Sequence, residues 1–397
     1  MNLTIYFNKF FKSNQSSGIL LIFCVAAALI IANSSLNELF SHFLNQEIGA
    51  EIFHLKYPIS IWINDGLMAI FFLLVGLEIK RELLEGELAT FKKASLPIFA
   101  AVGGMIVPAL IFAVLNYKTE FSSGWGIPMA TDIAFSLAII SLLGNRIPGS
   151  IKVFLAALAI VDDLGAILVI AFFYTEQIHW LYLFISFAIV GLLALLNYFK
   201  VEKIIFYLIP GAFLWYFLHH SGIHATIAGV LLAFTIPTNE STVIISPLEK
   251  LEHKLHLPVN FLIMPVFALT NTNIRFENGM IEGLGSTLGL GIILGLVIGK
   301  LVGINLFSFL AVKLKISSLP HQSTWVHMIG VGLLAGIGFT MSIFIALLSF
   351  KNEIEFQDEA KFAILIASLI AAVSGYFVLN FSHIRQKKRI LQKKIKN

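Results

Sequence analysis

The sequence predicts an all-α polytopic membrane protein with twelve transmembrane helices, and three observations carry that prediction. Hydrophobic residues make up 58% of the 397 and charged residues only 13%, with a mean hydropathy of +0.88, far outside the soluble range. Apolar runs long enough to cross a hydrocarbon core recur from residue 18 to residue 380, separated by short polar links. Two corresponding apolar segments, one in each half of the chain, are interrupted by Gly or Pro, the pattern of inverted-topology repeats with broken helices.

The first span, near 18–35, follows Lys9 and Lys12 as a secretory signal would. Its apolar stretch is longer than a signal core and many spans follow, so an uncleaved helix is expected. Cys24, the only cysteine, lies in it. An internal disulfide, an Fe–S cluster or a cysteine-rich zinc site is therefore excluded, and redox chemistry with them. The second span, near 60–79, opens with "NDGLMAIFF", which puts Asp65 where an acid caps free N–H groups. Further spans fall near 94–115, 126–144, 151–174, 180–198, 203–218, 222–237, 257–272, 284–311, 325–350 and 360–380. His224, at the start of the eighth, either lines an outer approach or bonds a neighbour. A cytoplasmic segment 1–17 and a basic cytoplasmic tail 381–397 flank a transmembrane domain 18–380.

Lys and Arg test the count, because basic residues stay on the cytoplasmic side. With both termini inside, 21 of the 27 bases fall in the inner segments, and five, Lys56, Lys118, Arg275, Lys351 and Lys361, fall outside. The tail "RQKKRILQKKIKN" carries seven of the inner ones and accounts for the net charge of +4. A basic tail beside anionic membrane lipids needs no nucleic acid to explain it.

Four ionisable residues lie well inside spans: Asp132, Asp162, Asp163 and Lys300. Each costs about 2.5–3.5 kcal/mol on insertion scales, so each must face protein or water. Asp162 and Asp163 are adjacent, hence about 100° apart on the helix, and cannot address one target symmetrically. One is expected to face a wet cavity and the other a neighbouring helix, unless both merely join helices through buried ion pairs. The spare cation is Lys300, behind Gly291, Gly295 and Gly299, a small-residue face that admits a close neighbour.

In the fourth span Gly126 and Pro128 interrupt the helix just before Thr131 and Asp132. A chain break at mid-membrane is tolerated only inside protein or against water; a plain proline kink is the alternative. "GIPMATDIAFSLA" (126–138) lies over "GIGFTMSIFIALL" (336–348), matching Gly126 to Gly336 and Asp132 to Ser342. If the two broken helices cross, Asp132 would offset their positive half-helix ends and Lys300 the negative ones.

A wet mid-membrane carboxylate holds either a proton or a hard monovalent cation such as Na⁺. Protonation removes the charge that coordinates the ion, so a site facing one side at a time would exchange the two obligatorily. Oxygen ligands would come from Asp163, from Asp162 once free, and from Thr131 or backbone carbonyls. An intramembrane aspartyl protease, pairing Asp132 with Asp162 or Asp163, and a channel or scaffold are the competing classes. Against the protease stand the adjacent second acid, Lys300 and the paired broken helices, and a channel or scaffold does not need proton and sodium to compete.

"ALAIVDDLGAILVIAFFYT", "MATDIAFSLA", "FFLLVGLEIKREL", "SGIHATIAGV", "LEHKLH" and "GIGFTMSIFIALLSF" resemble, in order, segments of the bacterial NhaA family of Na⁺/H⁺ antiporters, from near residue 14 to residue 380. The resemblance implies twelve helices with inverted repeats and two broken, crossing helices in the inner membrane. It implies a secondary transporter, not an enzyme, with no cofactor, that exports Na⁺ or Li⁺ against H⁺ electrogenically. It makes Asp163 the indispensable Na⁺/H⁺ binder, Asp162 a binder or partner of Lys300, and Thr131 and Asp132 the broken-helix site. It also implies acid shutdown through Glu78, Glu82, Glu252, His253 and His256, where Glu249 stands in place of a basic residue. Without it, those rim residues read as an ordinary solvated helix end. A homodimer is a further implication, to which the 35–58 outer loop is long enough to contribute.

Overall fold

The computed structural model describes residues 14–175, 177–238, 245–276 and 279–396, with the side chains of 14, 15, 145 and 383 onward left aside. Lys9, Lys12 and the seven tail bases lie outside the described side chains.

Helix dominates, as it must where lipid offers the backbone no hydrogen-bond partner. Six helices are each long and apolar enough to cross a membrane: Ile59–Leu84, Phe91–Leu115, Gly149–Phe173, Trp180–Tyr198, Thr287–Lys313 and Ile354–Ser382. Three further helix pairs are bent at a short break, giving up to nine spans among the described residues. The chain is therefore a multi-pass membrane protein. Helices also stand at the remaining expected spans, but they are shorter or more polar. Ile205–Ser221 has 17 residues and Ile227–Thr235 has 9, and the helix that opens at Pro247 begins with the charged run "LEKLEHK".

Two of the bent pairs are the interrupted spans of the sequence: Glu120–Met129 with Ile133–Leu142, and Trp325–Ala335 with Phe339–Ser349, each bent by 44°. The first break falls at 130–132, so Gly126 and Pro128 lie within the preceding 3-10 helix instead of ending it. The second falls at 336–338. Aligning the breaks pairs Ser136, not Asp132, with Ser342, one helical turn away from the sequence match. The third pair, Ser16–Ala32 and Asn37–Leu44, turns by 111° at residues 33–36, and its second helix lies in the expected 35–58 loop. That loop also forms a two-stranded antiparallel hairpin, Ile48 opposite Tyr57.

The chain divides into two compact units. One comprises residues Met1–Ile19, Glu87–Ala166 and Phe276–Asn397, the other Leu20–Gly86 and Ile167–Arg275. In the first, the Thr287–Lys313 helix packs on Phe91–Leu115, and glycines set the approach. A Cβ at Gly303 would strike the Gly103 carbonyl, and one at Gly299 would lie 2.8 Å from Pro108 Cα. The small-residue face thus has a named neighbour. In the second unit Leu73, Leu77, Tyr207, Leu214, Leu232 and Leu251 form the centre of an apolar core.

Asp65 does not cap a helix. The helix begins at Ile59, and Asp65 sits in a π-helical stretch, Trp62–Leu67, with Oδ2 3.5 Å from His219 Nδ1. The N-terminal signal in "NDG" was overridden by a hairpin strand that ends at Pro58 and hands the chain straight into the helix. His224 is buried and its Nδ1 lies 3.3 Å from Thr226 Oγ1, the neighbour-bonding arrangement.

Candidate functional site

The two breaks meet inside the first unit. At the first, residues 130–132 are extended, which frees their polar groups for partners across the gap. Asp132 N–H donates to the Ile337 carbonyl at 2.6 Å. Its carboxylate caps the half-helix that follows, Oδ1 accepting from Phe135 N–H at 3.0 Å. Oδ2 accepts from the Thr340 N–H at 3.1 Å and from the Thr340 hydroxyl, in the first turn of the other half-helix. One carboxylate thus serves the positive ends of both half-helices, where a negative charge is favourable.

The carbonyl ends are tied in turn. Ser136 Oγ donates to Leu334 O at 2.9 Å and Ser342 Oγ to Ile127 O at 2.8 Å, a near-reciprocal exchange between residues that the aligned breaks make equivalent. Thr131 Oγ1 lies 2.8 Å from Ala335 O and 2.6 Å from Asp162 Oδ2.

Asp162 and Asp163 come from the Gly149–Phe173 helix and are 1% and 3% exposed. Asp162 points at the breaks. Its Oδ2 pairs with the ammonium of Lys300, which also donates to Thr131 Oγ1 at 2.9 Å. Asp162 Oδ1 has no hydrogen-bond partner among the described residues. Asp163 is buried beside it, within electrostatic reach of Lys300. Lys300 itself is wholly buried and follows a π-helical stretch, Leu294–Gly299. Such a bulge widens the helix and is frequent where a side chain must be aimed. Lys300 thus reaches the carbonyl end of the 325–335 half-helix only through the Thr131 hydroxyl, while its charge goes to Asp162.

The structure therefore brings Thr131, Asp162 and Lys300 into contact, with Asp132 on the next residue and Asp163 on the adjacent helical position. Among the described residues no three His, Cys, Asp or Glu side chains form a metal set. A hard cation would have to complete its shell from hydroxyl and carbonyl oxygens, which the two breaks supply. Thr340, Ser136 and Ser342 were not legible as site residues. Their signal is positional, a hydroxyl within one turn of each break.

The rim residues lie in the second unit. Arg81 Nε reaches Glu252 Oε2 at 3.2 Å and Arg81 Nη2 reaches Glu82 Oε1 at 3.2 Å. Burial pushes the Glu252 carboxyl above the ordinary carboxylate range, against the pull of Arg81. Glu78 is half-buried one turn before Glu82 on the same helix. Cover over its ring, and then the neighbouring His253, hold His256 below the ordinary imidazole value. Glu249 closes a capping box with Ser246, its carboxylate accepting from Ser246 N–H at 2.8 Å, so the acid at this position has a local structural task.

Crossed, broken half-helices around buried carboxylates and a lysine, in a multi-pass bundle, define a secondary active transporter and not an enzyme. Comparison with known proteins narrows the class. Residues 8–379 match the family described as Na⁺/H⁺ antiporter 1, and the chain belongs to it. It is 59% identical over 383 residues, 96% of this chain and 93% of the other, to a protein of Flavobacterium johnsoniae named Na(+)/H(+) antiporter NhaA 2. Similar proteins named Na(+)/H(+) antiporter NhaA occur in Flavobacterium psychrophilum, 53% identical over 385 residues, and Pelagibacter ubique, 50% over 384. Coverage is 96% of this chain in both, with 97% and 98% of the relatives.

Proposed function

We propose that the chain is an electrogenic Na⁺/H⁺ antiporter of the bacterial inner membrane, exporting Na⁺ or Li⁺ against external H⁺ by alternating access. The contact of Lys300, Asp162 and Thr131 beside the two crossed breaks carries this reading. Asp163 and Asp162 are the carboxylates for which Na⁺ and H⁺ compete. Asp162 becomes a ligand only as Lys300 gives it up, so cation entry disperses a buried ion pair and expels protons from the same few cubic ångströms. Thr131 and the carbonyls at the breaks complete the oxygen shell. Release of more than one proton per cation would move net charge, which lets the membrane potential drive Na⁺ out.

Twelve spans with both termini cytoplasmic agree with the distribution of Lys and Arg, counting Ile205–Ser221, Ile227–Thr235 and the 257–271 part of the helix that opens at Pro247 with the nine long or bent spans. The two bent pairs then run in opposite directions, as inverted repeats require. Residues 18–380 form the transport domain between the cytoplasmic 1–17 segment and the tail 381–397. Glu78, Glu82, Glu252, His253 and His256 sense cytoplasmic pH, and the 35–58 hairpin region serves a homodimer.

Everted membrane vesicles energised to a pH gradient test the activity. Addition of NaCl should collapse the gradient in proportion to the amount of protein. A gradient that withstands Na⁺ and Li⁺ across pH 6–8.5 would reject the exchanger.

A further inference from the structure

His327 is fully buried and is the third residue of the 325–335 half-helix. Its Nδ1 accepts from the Thr324 backbone N–H at 3.1 Å and lies 3.0 Å from Thr324 Oγ1. Nε2 lies 3.3 Å from Ser382 Oγ. A backbone amide only donates, so Nδ1 must keep its lone pair and the single ring proton sits on Nε2, directed at Ser382. This is the geometry of a capping box in which histidine stands where Glu or Gln closes the motif. Unlike Gln, histidine loses its acceptor when it takes up a proton.

Resting on the transport reading above, we propose that His327 is a proton-sensitive positioning residue whose neutral form holds the 325–335 half-helix in place at the ion site. A second proton on Nδ1 faces the Thr324 N–H. The Thr324 hydroxyl can turn to accept it, but the amide cannot, and one helix-terminal donor is orphaned. The imidazolium also places full positive charge at the positive end of the half-helix.

No described neighbour offsets that charge. The 300–313 helix brings Lys313, which stands over Phe309, and at its far end Lys300, committed to Asp162. The 133–142 half-helix has no titratable side chain, and the segment before the cap holds exposed His321. Arg146 bonds Asn380 on the Ile354–Lys396 helix. The described acids of that helix, Glu355, Asp358 and Glu359, lie more than five turns from Ser382.

The other end of the half-helix lies eight residues on, about 12 Å away. There Ala335 O meets Thr131 and Leu334 O accepts from Ser136. Loosening the cap therefore loosens the partner of the hydroxyl that touches both Asp162 and Lys300. In the proposed topology the cap faces the cytoplasm, so cytoplasmic acid slows exchange.

The test uses the full-length protein in liposomes, with Na⁺-driven proton movement followed from pH 5 to 8.5. His327→Gln keeps an acceptor that does not titrate. It should match the wild type at pH 8.5 and keep about fivefold more of its own alkaline rate at pH 5, the population change that loss of one cap produces. His327→Ala should be slow at every pH and lack the acid step. Hydrogen–deuterium exchange of amides 325–335 in the wild type, corrected for intrinsic rate, should quicken on acidification, a readout that needs no variant. A His327→Gln profile superimposable on the wild type, a His327→Ala rate equal to wild type at pH 8.5, or exchange that does not change with pH would each overturn the proposal. Absence of Na⁺-driven proton movement in the wild type at any pH would instead overturn the transport reading.

Discussion

Lys300→Ala isolates the energetics of the site. The substitution removes the counter-charge of a carboxylate that is 1% exposed, leaving Asp162 Oδ2 with the Thr131 hydroxyl and Oδ1 with no described partner. Breaking one side of a buried ion pair costs about 3–5 kcal/mol. With an unfolding entropy of about 2.1 cal/mol/K per residue, a chain of 397 residues should melt about 4–6 °C lower. Thermal melting of detergent-purified protein measures the deficit, with Lys300→Ala/Asp162→Asn alongside. The double variant carries neither charge and should recover a large part of the loss. Equal melting of Lys300→Ala and wild type, or a double variant no more stable than the single, would refute the pairing.

Three further outcomes follow, two at the ion site and one at the rim. Asp163→Asn, which keeps shape and removes charge, should insert and melt normally yet show no Na⁺-dependent proton movement in vesicles, and Asp162→Asn should lose less Na⁺ affinity in a binding isotherm. Glu252→Gln should melt higher than wild type at pH 8.5, because the ionised carboxyl is disfavoured where it is buried. That advantage should shrink as pH falls and vanish below the ordinary carboxylate value of about 4.3, and a constant offset across pH would contradict it.

The charged residues of the site were legible in the sequence for an energetic reason. Asp132, Asp162, Asp163 and Lys300 each violate the cost of charge in a span, and nothing short of a protein interior repays it. The two interrupted segments were legible because Gly and Pro mark them. Their breaks were not placed correctly, since Gly126 and Pro128 are accommodated in a 3-10 helix and the chain opens only where Thr131 and Asp132 find partners on the other break. Thr340 escaped notice because a threonine in a span is cheap, and its value comes entirely from Asp132, 208 residues away. Asp65 was misassigned because local capping preference is weak beside the tertiary constraint of the hairpin that precedes its helix. A span shows little contrast between the face toward lipid and the face toward protein, so the division into two units left no trace in the apolar pattern.

The two carboxylates at the breaks have different tasks, and proton counting separates them. Asp132 receives three donors, Phe135 N–H, Thr340 N–H and the Thr340 hydroxyl, all of which require it to accept. Its carboxyl holds two positive helix ends together. Thr131, by contrast, has one hydroxyl proton for two acceptors, Asp162 Oδ2 and Ala335 O, while Lys300 donates to its oxygen. When Asp162 is an ion-paired carboxylate, the hydroxyl proton and the ammonium both favour it. When Asp162 binds a proton or turns its charge to a cation, its pull on that hydroxyl weakens and the proton passes to Ala335 O, at the end of the 325–335 half-helix. A change at one carboxylate would thereby reach the bonding of a broken helix through the Thr131 hydroxyl.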